Sequence, residues 1–504
     1  MVSKTYSAGL LGIDGFLVTV ECSVTAGMEK FEVVGLPDNA VREARERVRT
    51  ACTSAGFRFP DRHILVNLAP ANRKKEGSAF DLAILVGLLT ASGAIPPEAT
   101  EGACFLGELS LSGEVRPQSG VLSLTLAARE AGCRRIFVPR QNAVEAAIAE
   151  GIEVFGVTTF SEVFSHLTGR GALAPTLFDP SLTAEGNRPT ADFAEVAGQA
   201  KARRAIEIAA AGGHNLLLIG PPGSGKSMLA KRIPSILPPM SFPEAVEVTR
   251  VHSVAGMPIG GLVTRRPFRA PHHTVSPAGM IGGGSNPRPG EISLADHGIL
   301  FLDELPEFPP ALLETLRQPL EDGTVTVTRV AARANYPANF MLVCAMNPCR
   351  CGYYGDPVRT CSCRPEDVRR YLSRISGPLL DRLDIQVEVP SLTFDELSAR
   401  KRGEPSEAIR ERVAAARRLS AERSPRPNAR LTPEELTRDC ALDESAAAMM
   451  RAAFDKLGLS ARGHDKILRI ARTIADLAGS ETIAAAHVAE AVQYRTLDRK
   501  YWNR

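Results

Sequence analysis

The chain of 504 residues is too long for one hydrophobic core, and its length predicts about three domains. Its composition, 44% hydrophobic and 23% charged, is ordinary for a globular protein, and a net charge of +3 is too small to indicate a nucleic-acid partner by itself. The sequence lacks a long apolar run and a signal-peptide pattern, so we expect no membrane partner and a cytoplasmic location.

Residues 1–168 alternate between strand and helix patterns and predict an α+β domain. Apolar and β-branched segments indicate strands at 16–22, 31–34, 64–68 and 135–138, and helices are indicated at 40–55 and 123–131. Residues 107–115 indicate a hairpin that turns at Ser112 and Gly113.

The same region resembles the proteolytic domain of Lon-type proteases through Gly107-Glu and the run 126–139. Ser78 falls near the position of that family's nucleophile, but segment 119–124 contains no lysine to accept the serine's proton. We therefore expect a domain without peptidase activity. Its basic triplet 73–75 either contacts partner subunits or DNA, or forms a solvated loop.

The clearest motif follows the apolar run 215–219, where GPPGSGKS matches the nucleotide-binding loop G-x-x-x-x-G-K-S. The glycines let backbone N–H groups wrap around phosphate, Lys226 reaches the terminal phosphates and Ser227 can ligate Mg²⁺. The helix that follows directs its positive end at the anion. The motif predicts ATP and Mg²⁺ as cofactors, held by Gly220, Pro221, Pro222, Gly223, Ser224, Gly225, Lys226, Ser227 and Met228.

A second buried-strand pattern, residues 298–302, ends in two adjacent carboxylates. Asp303 can hold Mg²⁺, and Glu304 can polarise the attacking water. Alone, such a pair is more typical of a helix cap, but together with the phosphate loop it predicts ATP hydrolysis. Asn347, at the end of the strand pattern 340–346, can hydrogen-bond the water or the terminal phosphate.

Residues 248–290 contain no acidic residue but several arginines and histidines, and their many glycines indicate loops and hairpins. We interpret the segment as a basic insertion that contacts a phosphate backbone, with a solvated or subunit-contacting insertion as the alternative. A second hairpin, over residues 323–334, would project two more arginines. The candidate DNA contacts are Arg265, Arg266, Arg269, His272, His273, Arg329 and Arg333.

Four of the ten cysteines lie in residues 349–363 as two C-x-C pairs. Four thiols in a short loop of a protein from a reducing compartment predict a structural Zn²⁺ site formed by Cys349, Cys351, Cys361 and Cys363. Since C-x-C spacing is less usual than C-x-x-C, free or redox-active thiols are the alternative. The other six cysteines are expected to be buried and reduced.

The ATPase core is predicted to span residues 191–392, and the helical patterns over 393–504 predict a lid domain. Arg382 lies between Asp381 and Asp384 in sequence, so a local salt bridge is as plausible as a catalytic role. Arg462, just before an amphipathic helix, is placed to reach a nucleotide across the cleft.

Together these motifs resemble the bacterial magnesium-chelatase-like AAA+ ATPases over nearly the whole chain. The specific segments are RAPHHTVSPAGMIGGG from Arg269, NPCRCGYYGD from Asn347 and SGPLLDRLDI from Ser376. The resemblance implies a ring, usually a homohexamer, in which Arg382 completes a neighbour's ATP site and Arg462 acts within its own chain. It also implies branch migration of single-stranded and branched DNA in recombination during natural transformation, with recombination proteins as further partners.

The predicted fold is therefore α/β and multidomain. It combines a Lon-protease-like α+β domain, a linker over residues 169–190, an AAA+ core with a parallel sheet, and an all-helical lid. The predicted function is an ATP-hydrolysing ring motor on DNA. Two alternatives use the same motifs: a chelatase-type motor that remodels a protein partner for metal insertion, and a regulatory DNA-binding protein that uses ATP only to assemble.

Overall fold

The N-terminal region folds around a mixed seven-stranded sheet. The computed structural model describes residues 2–179, 191–257, 259–284, 287–328, 333–392 and 402–502 of the chain. The first nine strands are β1 Val2–Leu11, β2 Asp14–Thr25, β3 Lys30–Val34, β4 His63–Ala69, β5 Ala103–Phe105, β6 Glu108–Leu109, β7 Val115–Arg116, β8 Arg135–Pro139 and β9 Glu153–Val157. The sheet has the order β3-β4-β2-β1-β5-β8-β9, and β6 and β7 form a separate hairpin.

Seven helices accompany this sheet: α1 Asn39–Arg42, α2 Ala44–Ser54, α3 Asp81–Ala91, α4 Pro97–Thr100, α5 Val121–Glu130, α6 Ala143–Ala147 and α7 Phe160–Leu167. All eleven residues of α3 are buried, which explains why that helix is apolar on every side. The predicted helix 40–55 is interrupted at Glu43, and the predicted hairpin turn at Ser112 and Gly113 is confirmed.

Strand β1 is missing from the sequence-based prediction. Its inward-facing residues Ser3, Thr5 and Ser7 are polar yet buried, so the alternation of apolar side chains that marks most strands is absent. The hydroxyl of Ser3 donates to the carbonyl of Gly87 at 2.6 Å, and that of Thr5 donates to the carbonyl of Ala83 at 3.1 Å. These bonds to helix α3 satisfy the hydroxyl groups of Ser3 and Thr5.

The central region is built on a five-stranded parallel sheet with the order β11-β14-β17-β10-β18. Three of its strands, Leu216–Ile219, Ile299–Leu302 and Met341–Met346, are continuous apolar runs, as expected where helices cover both faces of a parallel sheet. The strands of this region are β10 Leu216–Ile219, β11 Phe268–Arg269, β12 Gly282–Gly283, β13 Arg288–Pro289, β14 Ile299–Leu302, β15 Thr324–Thr328, β16 Arg333–Pro337, β17 Met341–Met346 and β18 Ile385–Glu388.

Its helices are α8 Ala200–Gly212, α9 Lys226–Arg232, α10 Phe242–Val254, α11 Pro277–Ile281, α12 Glu291–Leu294, α13 Pro310–Glu314, α14 Arg317–Asp322, α15 Pro365–Leu372 and α16 Gly377–Leu380. The two short antiparallel pairs β12–β13 and β15–β16 form hairpins outside the sheet. The predicted second hairpin is therefore present.

The C-terminal region is helical. It contains α17 Ser406–Arg423, α18 Pro433–Asp439, α19 Glu444–Leu457, α20 Ala461–Leu477, α21 Ala485–Gln493 and α22 Leu497–Trp502. The fold is thus α/β and multidomain, as predicted. Within the described ranges, no helix combines the length and the apolar character that crossing a membrane requires.

The N-terminal region contacts the core through helix α10. Arg250 donates to the carboxylate of Asp14 at 2.8 Å, and the hydroxyl of Ser253 accepts from the backbone N–H of Gly120 at 2.8 Å. Ser253 in turn donates to the buried carboxylate of Glu145. Arg250 therefore takes part in a contact between regions, which removes it from the basic surface expected for residues 248–290.

Candidate active site

The parallel sheet brings the predicted nucleotide residues to one edge. Strands β10, β14 and β17 are parallel neighbours, and each is followed directly by part of the motif. The loop 220–225 follows β10, the pair Asp303 and Glu304 follows β14, and Asn347 follows β17. Because the carboxyl ends of parallel strands share one edge, residues far apart in sequence form one site there.

The phosphate loop curls through two glycines with left-handed backbone, Gly223 at φ 76° and Gly225 at φ 90°. Most other residues would be strained at these angles. Helix α9 begins directly after the loop, at Lys226. The loop therefore presents backbone N–H groups at the start of a helix, an arrangement that suits a phosphate.

The ammonium group of Lys226 lies inside this loop. It donates to the carbonyls of Gly220 at 2.7 Å and Pro221 at 2.8 Å, and to Oδ1 of Asn347 at 3.1 Å. Burial lowers the pKa of Lys226 to about 8, although the charges of Asp303 and Glu304 oppose this shift. An ammonium so placed is ready to exchange carbonyl partners for phosphate oxygens.

Ser227 and Asp303 form a pair of oxygen ligands. The hydroxyl of Ser227 donates to Oδ2 of Asp303 at 2.6 Å. Mg²⁺ prefers such hard oxygen ligands and keeps several waters, so a hydroxyl and one carboxylate beside the phosphates fit it. The structure thus brings together the two residues expected to hold the metal.

Glu304 adopts a left-handed backbone at φ 53°, and its side chain is 61% exposed. Such a conformation is uncommon for a residue other than glycine. The ring of His273 lies 3.9 Å from this carboxylate. His273, predicted as a DNA contact, therefore lies beside the expected catalytic carboxylate.

Arg382 lies at the opposite edge of the sheet. The backbone N–H of Asp384 donates to the carbonyl of Asn215, which precedes β10, whereas the phosphate loop follows β10. Four strand residues, or about 13 Å, separate the two edges. The guanidinium of Arg382 is 12% exposed and is paired with Glu321, and it also donates to the carbonyl of Pro378 at 2.6 Å.

Arg462 lies with Arg382 rather than with the phosphate loop. Both line a cavity of about 1130 Å³ that also includes Asp384, Lys466 and Arg469, and none of residues 220–228 lines it. In this structure Arg462 therefore lies away from the phosphate loop of its own chain, and its expected role at its own nucleotide stays a prediction. Local sequence patterns do not predict this position, because the placement of a helical domain relative to a sheet depends on contacts between distant segments.

Lys466 is a cation of this cavity that the sequence did not single out. It follows Arg462 by one helical turn, so both project from one face of α20. Its ammonium is buried, makes no hydrogen bond, and lies 3.7 Å from Oδ1 of Asp384. Burial lowers the pKa of Lys466 to about 8.

Gln199, just before helix α8, makes a further contact with the phosphate loop. Its amide donates to the carbonyl of Pro390 at 2.7 Å and reaches the carbonyl of Ser224 at 3.4 Å. It thereby joins the phosphate loop to the segment after β18. No chemical motif marks such a glutamine, because its partners are backbone groups.

The four predicted zinc ligands converge. Their sulfur atoms lie within 4.8 Å of one another, with separations of 3.4 Å for Cys349–Cys351, 3.5 Å for Cys351–Cys361 and 3.7 Å for Cys349–Cys361. Four thiolates around one Zn²⁺ at about 2.3 Å stand about 3.8 Å apart. The geometry therefore fits a tetrahedral metal, and all four cysteines, Cys363 included, are free of disulfides.

The predicted DNA contacts do not form one surface. Arg266 is nearly buried and donates to the carbonyls of Pro238 and His297 and to Glu244. Arg269 makes a bidentate pair with Glu291 at 2.6 and 2.7 Å. Both guanidinium groups are used inside the fold, and their assignment as DNA contacts is withdrawn.

The remaining basic residues are exposed: Arg265, His272, Arg333 and the insertion residue Arg288. Two of these residues lie on hairpins that contact each other. The contact is the hydroxyl of Tyr336 in β16, which donates to the carbonyl of Pro287 at 2.6 Å. Arg288 and Arg333 begin the second strands of these hairpins. Arg329 lies outside the described residues.

The N-terminal region shows no serine–lysine pair at Ser78. Its hydroxyl donates to Glu108, and a carboxylate there does not leave the serine activated as an amine would. Lys75 is buried and donates to the carbonyl of Pro70, so the solvated-loop interpretation is wrong for this residue. Lys74 pairs with Glu76 at 2.7 Å.

Comparisons with known proteins give a consistent family. The family model described as magnesium chelatase, subunit ChlI, matches residues 192–397. Subunit ChlI of Mg-chelatase matches residues 20–142, and the magnesium chelatase subunit ChlI C-terminal model matches residues 403–495.

Full-length relatives agree with these models. Competence protein ComM of Haemophilus influenzae is 43% identical over 499 residues, which cover 98% of this chain and 97% of the relative. YifB of Escherichia coli is 41% identical over 502 residues, covering 99% and 98%. Lon protease 2 of Bacillus subtilis is 29% identical over 172 residues, 30% of each chain, in line with the Lon-like N-terminal region. The chain therefore belongs to the magnesium-chelatase-like AAA+ ATPases, in the group that contains ComM and YifB.

Proposed function

We propose that this protein is an AAA+ motor that uses ATP hydrolysis to promote branch migration of DNA. The observation that carries the proposal is the convergence of a phosphate loop, a carboxylate pair and Asn347 at one sheet edge in a full-length relative of a competence protein. Recombination of incoming single strands during natural transformation is the process in which such a motor acts.

The chemistry assigns one role to each residue at the sheet edge. Lys226 binds the terminal phosphates, and Ser227 and Asp303 hold Mg²⁺, which neutralises phosphate charge when bound. Glu304 orients the attacking water and accepts its proton, and Asn347 holds the water or the terminal phosphate by a hydrogen bond.

Assembly supplies what one chain lacks. Arg382 and Arg462 share a cavity at the far edge of the sheet, so both serve the nucleotide of a neighbouring chain in a ring. Their positive charge complements the charge that develops on the transferred phosphoryl group. The alternative is the expected division of labour, in which Arg462 acts on the nucleotide of its own chain.

DNA is contacted by the exposed cations of the two hairpins. Arg288 and Arg333 are exposed, and the bond from Tyr336 to Pro287 holds the hairpins together. Such contacts neutralise phosphates and release counterions, so binding weakens as salt rises. His273 also belongs to the basic insertion and lies beside Glu304, so the insertion reaches the hydrolytic site.

The thiol cluster holds a structural Zn²⁺. Four protein ligands leave no open position for catalysis, so the metal closes the loop 349–363. One metal ion for each chain, measured by mass spectrometry of the protein purified without chelator, is the expected result.

The deciding experiment is steady-state ATPase with and without single-stranded and four-way branched DNA, together with sedimentation in ATP. We expect DNA to stimulate turnover, ATP to drive ring assembly and the ring to move the branch point. An ATPase rate that DNA does not change would favour a chelatase-type motor acting on a protein partner. ATP binding without hydrolysis would favour the regulatory alternative.

A double variant tests whether the exposed arginines of the two hairpins contact DNA. Arg288→Ala with Arg333→Ala should weaken DNA binding and reduce the salt slope by about 1 for each lost phosphate contact. The matched control is Arg418→Ala with Arg451→Ala, which removes the same charge from exposed positions of the helical region. An unchanged slope in the hairpin variant would contradict these contacts.

A further inference from the structure

We propose that the thiol cluster supports the phosphate loop, so that loss of its metal weakens ATP binding. The inference rests on the proposed Zn²⁺ site but concerns a different property, the affinity for nucleotide. It follows from one direct contact between the loop 349–363 and the phosphate loop, and from a second contact made by Asn347, two residues before Cys349.

The first contact joins Gly352 to Pro222. A Cβ placed on Gly352 would lie 2.3 Å from Cδ of Pro222, so the backbone of the cysteine loop packs directly on the ring of a phosphate-loop residue. Gly352 has φ 87° and is adjacent to Cys351. Its N–H donates to the carbonyl of Cys349 at 3.0 Å, so two of the four thiols lie in the turn that makes the contact.

The second contact is made by Asn347, two residues before Cys349. Its Oδ1 accepts from the ammonium of Lys226 at 3.1 Å. Cys349 is fully buried, so the position of its sulfur atom constrains the backbone that carries Asn347. The turn that carries half of the thiols thus contacts the phosphate loop, and the backbone just before this turn carries the partner of Lys226.

The other half of the cluster is attached elsewhere. Cys361 and Cys363 precede helix α15, and the indole N–H of Trp502 in helix α22 donates to the carbonyl of Leu372 at the end of α15 at 3.3 Å. These two cysteines are therefore tied to the C-terminal end of the described chain, while Cys349 and Cys351 are tied to the phosphate loop.

A metal that binds all four thiols joins these two attachments. The intervening residues 353–360 are mainly exposed, so little packing holds the loop closed when the thiols separate. Release of the metal then frees Gly352 from Pro222 and loosens the phosphate loop.

The test measures fluorescent ATP-analogue affinity beside metal content, neither of which requires turnover. Cys361→Ser removes a ligand that does not touch the phosphate loop, and we expect it to lose the metal and to bind nucleotide at least about fivefold more weakly. Cys133→Ser, at a buried cysteine of the N-terminal region, is the control for thiol loss and should change neither quantity.

Two glycine variants separate the contact from the metal. Gly352→Ala should keep the metal yet weaken nucleotide binding, because its Cβ collides with Pro222. Gly355→Ala is the matched control: it has a similar φ of 76° in the same loop, but its Cβ would meet only Lys500, at 3.7 Å and beyond. Equal nucleotide affinity in Gly352→Ala and Gly355→Ala would overturn the proposed contact.

The outcomes distinguish the proposals from one another. A metal-free Cys361→Ser protein, folded by circular dichroism, with wild-type nucleotide affinity would refute the support of the phosphate loop and leave the zinc site intact. A wild-type protein that binds no metal would refute both. Neither result bears on DNA stimulation, which is measured on the wild-type ring.

Discussion

The guanidinium of Arg382 is paired with the carboxylate of Glu321, although the two residues are 61 positions apart in sequence. Glu321 is 59% exposed and Arg382 only 12%. An arginine that must reach a neighbour's phosphate has to leave this partner first. In the single chain, this ion pair therefore keeps the guanidinium of Arg382 beside Glu321 and away from a neighbour's phosphate.

Glu321→Gln should release Arg382. Because a largely exposed ion pair contributes at most about 1 kcal/mol, we expect ATPase at limiting protein concentration to rise by no more than about fivefold. Glu407→Gln is the control, since it removes an exposed carboxylate that pairs with Arg410 three residues away. A fall in turnover would mean that Glu321 positions Arg382 productively instead.

Mixing two inactive variants tests whether Arg382 acts across an interface. Chains with Lys226→Ala lack phosphate binding, and chains with Arg382→Ala lack the arginine, so each ring alone should be inactive. In an equal mixture, about a quarter of head-to-tail interfaces join an intact loop to an intact arginine. We expect ATPase to recover toward that fraction, and no recovery would place Arg382 in its own chain's site.

Glu304→Gln should separate binding from hydrolysis. The amide keeps the shape of the side chain but cannot accept the proton of water, so turnover should fall by about 10² or more while ATP affinity is retained. Asp303→Asn is the comparison, because it removes a metal ligand and should raise the Mg²⁺ concentration needed for activity. Near-normal turnover in Glu304→Gln would remove Glu304 from the mechanism.

ATP affinity should fall at alkaline pH. In the free protein, burial lowers the pKa of Lys226 to about 8, and bound phosphate favours the charged ammonium. Below pH 8 the lysine is already protonated and affinity is constant, whereas above it binding must take up a proton. At pH 9 we expect about tenfold weaker binding than at pH 7.

Calorimetry in buffers of different ionisation enthalpy measures this proton uptake directly. Lys226→Arg should bind ATP with no such pH dependence, since its guanidinium stays charged throughout. A wild-type affinity that is flat between pH 7 and pH 9.5 would show that Lys226 keeps an ordinary pKa.

The sequence predicted the nucleotide residues and the cysteine cluster because each is defined by local spacing. A phosphate loop after a buried strand, or four cysteines within fifteen residues, determines its neighbours with little help from the rest of the fold. Parallel strand patterns then placed Asp303, Glu304 and Asn347 beside the loop.

Long-range ion pairs could not be predicted in this way. Arg266 and Arg269 count as basic residues in a sequence window without acids, yet their partners Glu244 and Glu291 lie just outside it, at its two ends. Strand β1 was not predicted for a related reason: the buried side chains of Ser3 and Thr5 carry hydroxyls that donate to helix carbonyls. Local composition does not report which distant group satisfies a polar side chain.

The two ends of strand β10 carry different functional residues. One end carries the phosphate loop, and the other carries Asn215 beside the segment of Arg382. Chains that share a nucleotide in the proposed way meet through unlike surfaces, so a closed circle of them has two different faces. A DNA strand also differs between its two directions. In the proposed ring, the two unlike faces would distinguish the direction in which a DNA strand enters, and each round of hydrolysis would advance the DNA in one direction only.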